Sequence, residues 1–402
     1  MKKALILFTI FVSAIFLTSC KNESDDYIDP RGTDYVGSES CIQCHQTQSE
    51  SAFHSSHFKA TSPANKENIL GNFTKGNTFI YDKNTKLVME KRNDTLYQVL
   101  YKNNKEVQVY PFEVLFGVKH AQTSAYWKNH YTYELPISYY KSLNSWATSP
   151  GYSASSINFE RRVEKECYAC HSSNIASRFI TTSSDSINFM NMEVEDFMNK
   201  ETIIYGIDCE RCHGPAKKHV QTHLKFPELK LAKDIVSFKK LTKQHRIDAC
   251  AICHSGNDQI KIKSRFQFKP GENLLDYFAG VPEAKESINY DVHGNQLGLL
   301  SQSKCFQKSE TMDCMTCHNP HSNASTNLAS YAKICMSCHQ GVQHSPSTLK
   351  KTSKVSLDNN CVECHMPKQD SKAIRFQKSN TSKMSSYSLR THKIAVYPPA
   401  KK

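Results

Sequence analysis

The sequence predicts a helical, loop-rich body with a small antiparallel β meander near its N-terminus. Three observations predict it. Seven copies of C-x-x-C-H punctuate the 402 residues. Only 39% of the chain is hydrophobic, too little to suggest a fold held by packed side chains alone. Runs of β-branched and aromatic residues concentrate between residues 78 and 118, whereas short helical stretches and loops link the later motifs.

The motif copies are Cys41-Cys44-His45, Cys167-Cys170-His171, Cys209-Cys212-His213, Cys250-Cys253-His254, Cys314-Cys317-His318, Cys335-Cys338-His339 and Cys361-Cys364-His365. Each is the attachment pattern of a c-type haem. The two thiols add across the porphyrin vinyl groups, and the adjacent His is placed under the iron as its proximal ligand. The reading is therefore seven covalent haems c. Structural zinc is the plainest alternative, but zinc sites rarely demand His after every second Cys. A disulfide framework is the other, and two intervening residues make a poor staple.

At the N-terminus, Lys2 and Lys3 precede the apolar stretch Ala4 to Leu17, the shape of an export signal. Leu17-Thr18-Ser19-Cys20 resembles a bacterial lipoprotein box, by which Cys20 would carry acyl chains and hold the protein to a membrane. An ordinary signal with an incidental Cys is the alternative. Residues 1–19 are read as the lipoprotein signal and 20–34 as the acylated Cys with a flexible tether. The polar, acidic run Lys21 to Asp26 fits that tether, and also looks like signals that send some lipoproteins to the cell surface. The expected location is exported and anchored to the outer membrane, on its periplasmic or cell-surface face.

Residues 35–70 form the first haem segment. Residues 71–165 form a β-rich and aromatic insert. Thr78 to Tyr81, Lys86 to Met89, Leu96 to Tyr101 and Val107 to Tyr110 read as strands separated by turn residues. Residues 119–160 are aromatic and mixed. Residues 166–402 form a six-haem domain. There Glu160 to Glu166 reads as a helix leading into the second motif, Met190 to Ile204 has helical amphipathic spacing, and 215–250 is helical in part. The tail after Pro367 reads as partly irregular.

Cysteine counting leaves one thiol over. Of sixteen Cys, fourteen hold haem and Cys20 holds lipid, so Cys305 is either a small buried side chain or a thiol beside a haem. The formal charge of +13 does not call for nucleic acid. Without Lys2 and Lys3 it is about +11, and about fourteen haem propionates against the ferric cores bring the oxidised protein to roughly +4. Much of the Lys/Arg excess is accounted for by propionate pairing.

Each electron-carrying haem needs a sixth ligand, usually His or Met. Eleven His lie outside the motifs, namely His54, His57, His120, His130, His219, His223, His245, His293, His321, His344 and His392. His321 follows His318 too closely to reach over its own haem, and more naturally serves a neighbouring iron.

The segments YVGSESCIQCHQTQSESAFHSSHFKA, DCERCHGPAKKHV, DVHGNQLGLLSQSKCF, CMTCHNPHS and CVECHMPK resemble the multihaem c-type cytochromes related to hydroxylamine oxidoreductase and cytochrome c nitrite reductase. LPISYYKSLNSWATSPGY is similar to a stretch of uncharacterised members. The resemblance implies a mainly α multihaem cytochrome c fold, with haems in alternating parallel and perpendicular stacks. It also implies distal ligands at His57, His120, His219, His293, His321, His344 and His392. Two departures matter. No C-x-x-C-K stands here for a Lys-ligated catalytic haem, and seven haems replace the eight of the oxidoreductase branch with its crosslinked Tyr. Neither catalytic activity carries over.

The first functional expectation is a membrane-tethered electron carrier with mostly bis-His haems, exchanging electrons with redox partner proteins or quinol-linked donors. The second is an oxidoreductase acting on a small nitrogen or sulfur compound at one open-faced haem. His130, His245, Tyr139, Tyr140, Arg161 and Cys305 are candidates to line such a pocket.

Overall fold

A computed structural model describes residues 28–181, 194–280, 282, 285, 288–344 and 359–398. The expected signal segment and Cys20 lie outside the described residues.

The described residues are 25% helix and 27% strand, so the mainly α expectation is overturned. β1 (Thr61–Pro63) is followed by a four-stranded antiparallel meander of β2 (Thr78–Ile80), β3 (Thr85–Arg92), β4 (Thr95–Lys102) and β5 (Lys105–Pro111). Leu87 and Met89 of β3 are buried on one face, and Val88 and Glu90 less so on the other. Asn103 and Asn104 both take positive φ, 51° and 61°, in the β4–β5 connection. Short polar side chains tolerate that left-handed pair, which matches the twist of a tight hairpin.

A larger antiparallel sheet follows. It comprises β6 (Val114–Phe116), β7 (Ala121–Lys128), β8 (Tyr131–Glu134), β9 (Ile137–Tyr140), β10 (Ser145–Thr148) and β11 (Arg162–Val163), with β1 along its edge. One apolar core joins the two sheets. Phe79, Leu87, Met89 and Leu100 of the meander pack with Leu115, Tyr126, Ile137 and Trp146 of the larger sheet. β9 shows why the strands were hard to read. All four of its residues are buried, so the sequence shows no alternation of apolar and polar positions.

Two further expectations are corrected. The stretch Met190 to Ile204 is no helix where it is described. It contributes β13 (Val194–Tyr205), paired antiparallel with β12 (Ser172–Thr181). The helix expected over Glu160 to Glu166 lies later, at Lys165–His171, because β11 occupies Arg162–Val163. The tail after Pro367, expected to be partly irregular, carries a hairpin of β14 (Lys368–Phe376) and β15 (Ser385–Arg390), with irregular chain between and after the strands.

The described helices are short, and the longest of the motif helices, Lys243–His254, has 12 residues. Among the described residues no helix is long and apolar enough to cross a membrane. Beyond His171 the buried apolar clusters are small. The main one gathers Ala251, Ile252, Phe268, Leu274, Tyr277 and Phe278.

Two ties bind the ends to the motifs. The Thr61 hydroxyl donates to the His171 carbonyl at 3.0 Å and accepts from the Gly206 N–H at 2.9 Å, joining β1 to the second motif and to β13. The Arg31 guanidinium donates to Asp208 at 2.7 and 3.0 Å, to Asp29 and to Glu210, an almost fully buried cluster that fixes the N-terminal segment onto the third motif.

Candidate haem centres

Each motif lies on or beside a short helical turn. Lys165–His171, Cys209–His213, Lys243–His254 and Cys361–His365 carry theirs entirely or end on the His. One turn brings positions i, i+3 and i+4 to the same face. Both thiols and the imidazole are thereby aimed at one side of the helix. Backbone bonds from His45 to Cys41, His318 to Cys314 and His339 to Cys335 close the same turn at 2.9–3.0 Å in the other three. Asp208 and Asp313 cap two of the turns by accepting from Arg211 and Thr316.

The surroundings of the thiols test whether porphyrin fits. Cys is ordinarily among the most buried side chains. Here none of the fifteen described Cys is buried or disulfide-bonded, and Cys44, Cys167, Cys338 and Cys364 are exposed. Among the described residues no group of three or more His, Cys, Asp or Glu converges as a bare metal site would require. That leaves the zinc alternative without a ligand shell.

The imidazoles supply the second test. An iron bonded to two ring nitrogens at about 2 Å each puts the ring centres roughly 6 Å apart. Five motif histidines face a second imidazole at that separation. His45 faces His219 at 6.2 Å, and His254 faces His57 at 6.1 Å. His213 faces His321 at 5.9 Å, His318 faces His392 at 6.2 Å, and His365 faces His344 at 6.4 Å. That separation accommodates one iron between two facing ring nitrogens.

Hydrogen bonds fix how these rings present themselves. His213 Nδ1 lies 3.1 Å from the Val236 carbonyl, His219 Nδ1 2.8 Å from Lys233 O, and His365 Nδ1 2.9 Å from Ala395 O. His254 Nδ1 lies 3.0 Å from Gln296 Oε1. A carbonyl only accepts, so in each case Nδ1 carries the hydrogen and Nε2 keeps its lone pair for a metal. Burial holds His254 and His392 down to about 4, in the neutral form that binds metal.

Two motif histidines stand apart. His171 meets the edge of Phe116 at 5.8 Å, and its Nδ1 lies 3.4 Å from Ala60 O. His293 is close enough for its charge to act on His171 and on His254. His339 is exposed, and among the described residues no imidazole faces it at iron-bridging distance. Of the seven expected distal ligands, five thus sit opposite motif histidines, and His120 and His293 do not. His120 instead accepts or donates at 2.8 Å with the Tyr387 hydroxyl of β15, and burial pushes it down to about 4.

The pocket candidates are scattered. His130 stacks on Phe197, Tyr139 and Tyr140 pack inside the β region, and Arg161 pairs with Glu134. Cys305 is half-buried and lies near Cys317 and Cys335, the thiols of the fifth and sixth motifs. Sequence reading missed the accepting groups at Val236, Lys233, Ala395 and Gln296. Three of these are main-chain carbonyls, which leave no trace in side-chain identity, and the fourth is one amide side chain among several, so only fold geometry finds them.

The motifs also lie near one another. Cys41 is close enough to Cys209 for the two thiols to act on each other's charge, as are Cys170 and Cys253, Cys250 and Cys314, and Cys335 and Cys361. Cys212 feels Cys253, and Cys317 neighbours Cys335. The seven motifs therefore form one connected series, with the second branching from the fourth.

A family described as a doubled CXXCH motif matches residues 308–344, which hold the fifth and sixth motifs. The fold is similar to that of the outer cell wall cytochrome OcwA, with a TM-score of 0.51 and 16% identity over 90% of this chain and 80% of that one. In its doubled motif and in its fold the chain is thus similar to multihaem c-type cytochromes. No curated protein matches it in sequence. With haem bound, the paired imidazoles of this chain would hold the irons and the motif thiols would anchor the porphyrins. The group supplies one-electron chemistry when bound, and the chain fixes its ligands, spacing and solvent access.

Proposed function

We propose that the protein is a heptahaem electron carrier, lipid-anchored at the outer membrane through Cys20, passing electrons along mostly bis-His haems. What carries the reading is the set of five imidazole pairs spaced 5.9–6.4 Å apart. The contiguity of the motif thiols supports it, because neighbouring porphyrins would then adjoin. OcwA is named as an outer cell wall cytochrome, which is in keeping with a surface location for this chain. Its donors and acceptors are redox partner proteins or quinol-linked donors. Kinship with hydroxylamine oxidoreductase and nitrite reductase rests on the sequence segments alone. The test is the mass and iron content of purified protein. Seven haems per chain and a dominantly low-spin spectrum are expected, and fewer than five low-spin haems would sink the proposal.

A second reading is favoured by one observation, the exposed His339, which no imidazole faces among the described residues. A haem there would keep an open face on which a small nitrogen or sulfur compound could bind. Carbon monoxide bound by the reduced protein, and lost in Cys335→Ala/Cys338→Ala, would support it. Binding that survives that double variant would remove it.

A further inference from the structure

The described chain emerges from its N-terminal tether beside one particular helix. The Lys217 N–H donates to the Asp34 carbonyl at 3.0 Å, at the first turn of Lys217–Lys225. Arg31, three residues earlier, is clamped on Asp208 and Glu210. Cys20 precedes Arg31 by eleven residues, a reach of roughly 40 Å at full extension. A bilayer holding an acylated Cys20 would therefore never be far from this helix.

The surface at that place is unusual for a soluble face. Residues 224–233 are all exposed. They include Leu224 at 71%, Phe226 at 43% and Leu231 at 78% exposure. Leu224 lies five positions after His219, so it is turned about 140° around the helix from that ring and away from the haem. Between Lys217 and Lys240 stand seven lysines against Glu228 and Asp234. Asp234 is already engaged by Lys218 and Thr222. Apolar tips among unpaired lysines match a surface of anionic headgroups over hydrocarbon, where leucine and phenylalanine enter the acyl boundary and lysine stays with the phosphates.

The same segment reaches the first iron centre. His219 of this helix faces His45, and Lys233 of the exposed loop supplies the carbonyl that meets His219 Nδ1. We infer that the Lys217–Lys233 segment lies on the anionic membrane surface and sets the His45/His219 haem at the membrane as the terminal of the haem series. The inference rests on the anchored-carrier reading and adds the face by which the carrier meets lipid. The lysines draw the segment to the headgroups and the apolar side chains hold it there. The acyl group then restrains a molecule that already has one preferred orientation.

The test uses full-length holoprotein with Cys20→Ala, exported through a signal cleaved without acylation. It is mixed with vesicles of phosphatidylglycerol and phosphatidylcholine, or of phosphatidylcholine alone. Flotation with the anionic vesicles is expected, at least tenfold weaker with the neutral ones and falling with added salt. Leu224→Ser/Leu231→Ser and Lys225→Glu/Lys230→Glu should each cut it at least fivefold with unchanged haem spectra. Anionic vesicles should also protect Lys225 and Lys230 from trypsin while Lys83 in the meander stays open to cleavage. No flotation, or flotation unaffected by both double variants, would overturn the inference. So would variants that slow only electron transfer with an acidic soluble protein, since the segment would then be a protein dock. The mass of native protein extracted from membranes reports acylation separately, so a failure of the anchor is distinguishable from a failure of this surface.

Discussion

His213 and His321 lie with ring planes 2° from parallel and centres 5.9 Å apart, although 108 positions separate them in the chain. The pair shows the design principle of the haem region, in which one segment gives the porphyrin its thiols and a distant one closes the iron. Replacing His321 with Ala is expected to turn one haem high-spin. The reduced variant should then bind one equivalent of carbon monoxide, read by absorbance and paramagnetic resonance. An unchanged spectrum would place the sixth ligand elsewhere.

Ring orientation separates the centres. His57 and His254 are crossed at 73°, whereas His45 and His219 differ by 19°. Crossed imidazoles leave the iron orbitals near-degenerate and give a strongly anisotropic low-spin resonance. Parallel ones give an ordinary rhombic resonance. His57→Ala should delete an anisotropic signal and leave the rhombic ones in place.

Gln296 accepts the Nδ1 hydrogen of His254. That bond makes the imidazole a stronger donor to oxidised iron. Gln296→Leu should raise the potential of one haem in a redox titration, with the remaining potentials unmoved.

Glu134 is buried beside Arg161, and the loss of water raises its carboxyl from 4.5 to about 7. A raised acid binds more protons folded than unfolded. Its contribution to stability is therefore present below about pH 4.5 and lost as pH climbs through about 7. Denaturation midpoints measured across that window should fall less with rising pH in Glu134→Gln than in the parent. Equal slopes would mean Glu134 is ionised throughout.

Gly206 takes φ +66°, and a Cβ there would meet the Phe58 carbonyl oxygen at 1.8 Å. Main chain cannot yield as a side-chain tip can, and the left-handed backbone adds its own strain. Gly206→Ala is expected to destabilise the protein by about 2 kcal/mol or more, seen in denaturation or in holoprotein yield.

The attachment points were legible in the sequence because C-x-x-C-H is contiguous and each part of it has a chemical task. The meander strands were also legible, for Leu87 and Met89 alternate with Val88 and Glu90 around clear turn residues. β9 and β10 were not, since burial on both faces erases alternation. The stretch leading to Ile204 carried a helical spacing that pairing with β12 overrides. His219, His321, His344, His392 and His57 stood among eleven histidines outside the motifs, and only the resemblance narrowed them to seven. Only the fold says which imidazole stands opposite which, and it sets His120 beside Tyr387 instead.

The apolar core joining the two sheets needs no porphyrin, whereas the stretch beyond His171 has little else to collapse upon. The two parts should therefore mature on different clocks. Newly exported chain can settle its strands at once and leave the remaining thiols accessible to the ligation machinery. A cell starved of haem would then accumulate a half-finished precursor. Protease should trim that precursor back to the strands between β1 and β11.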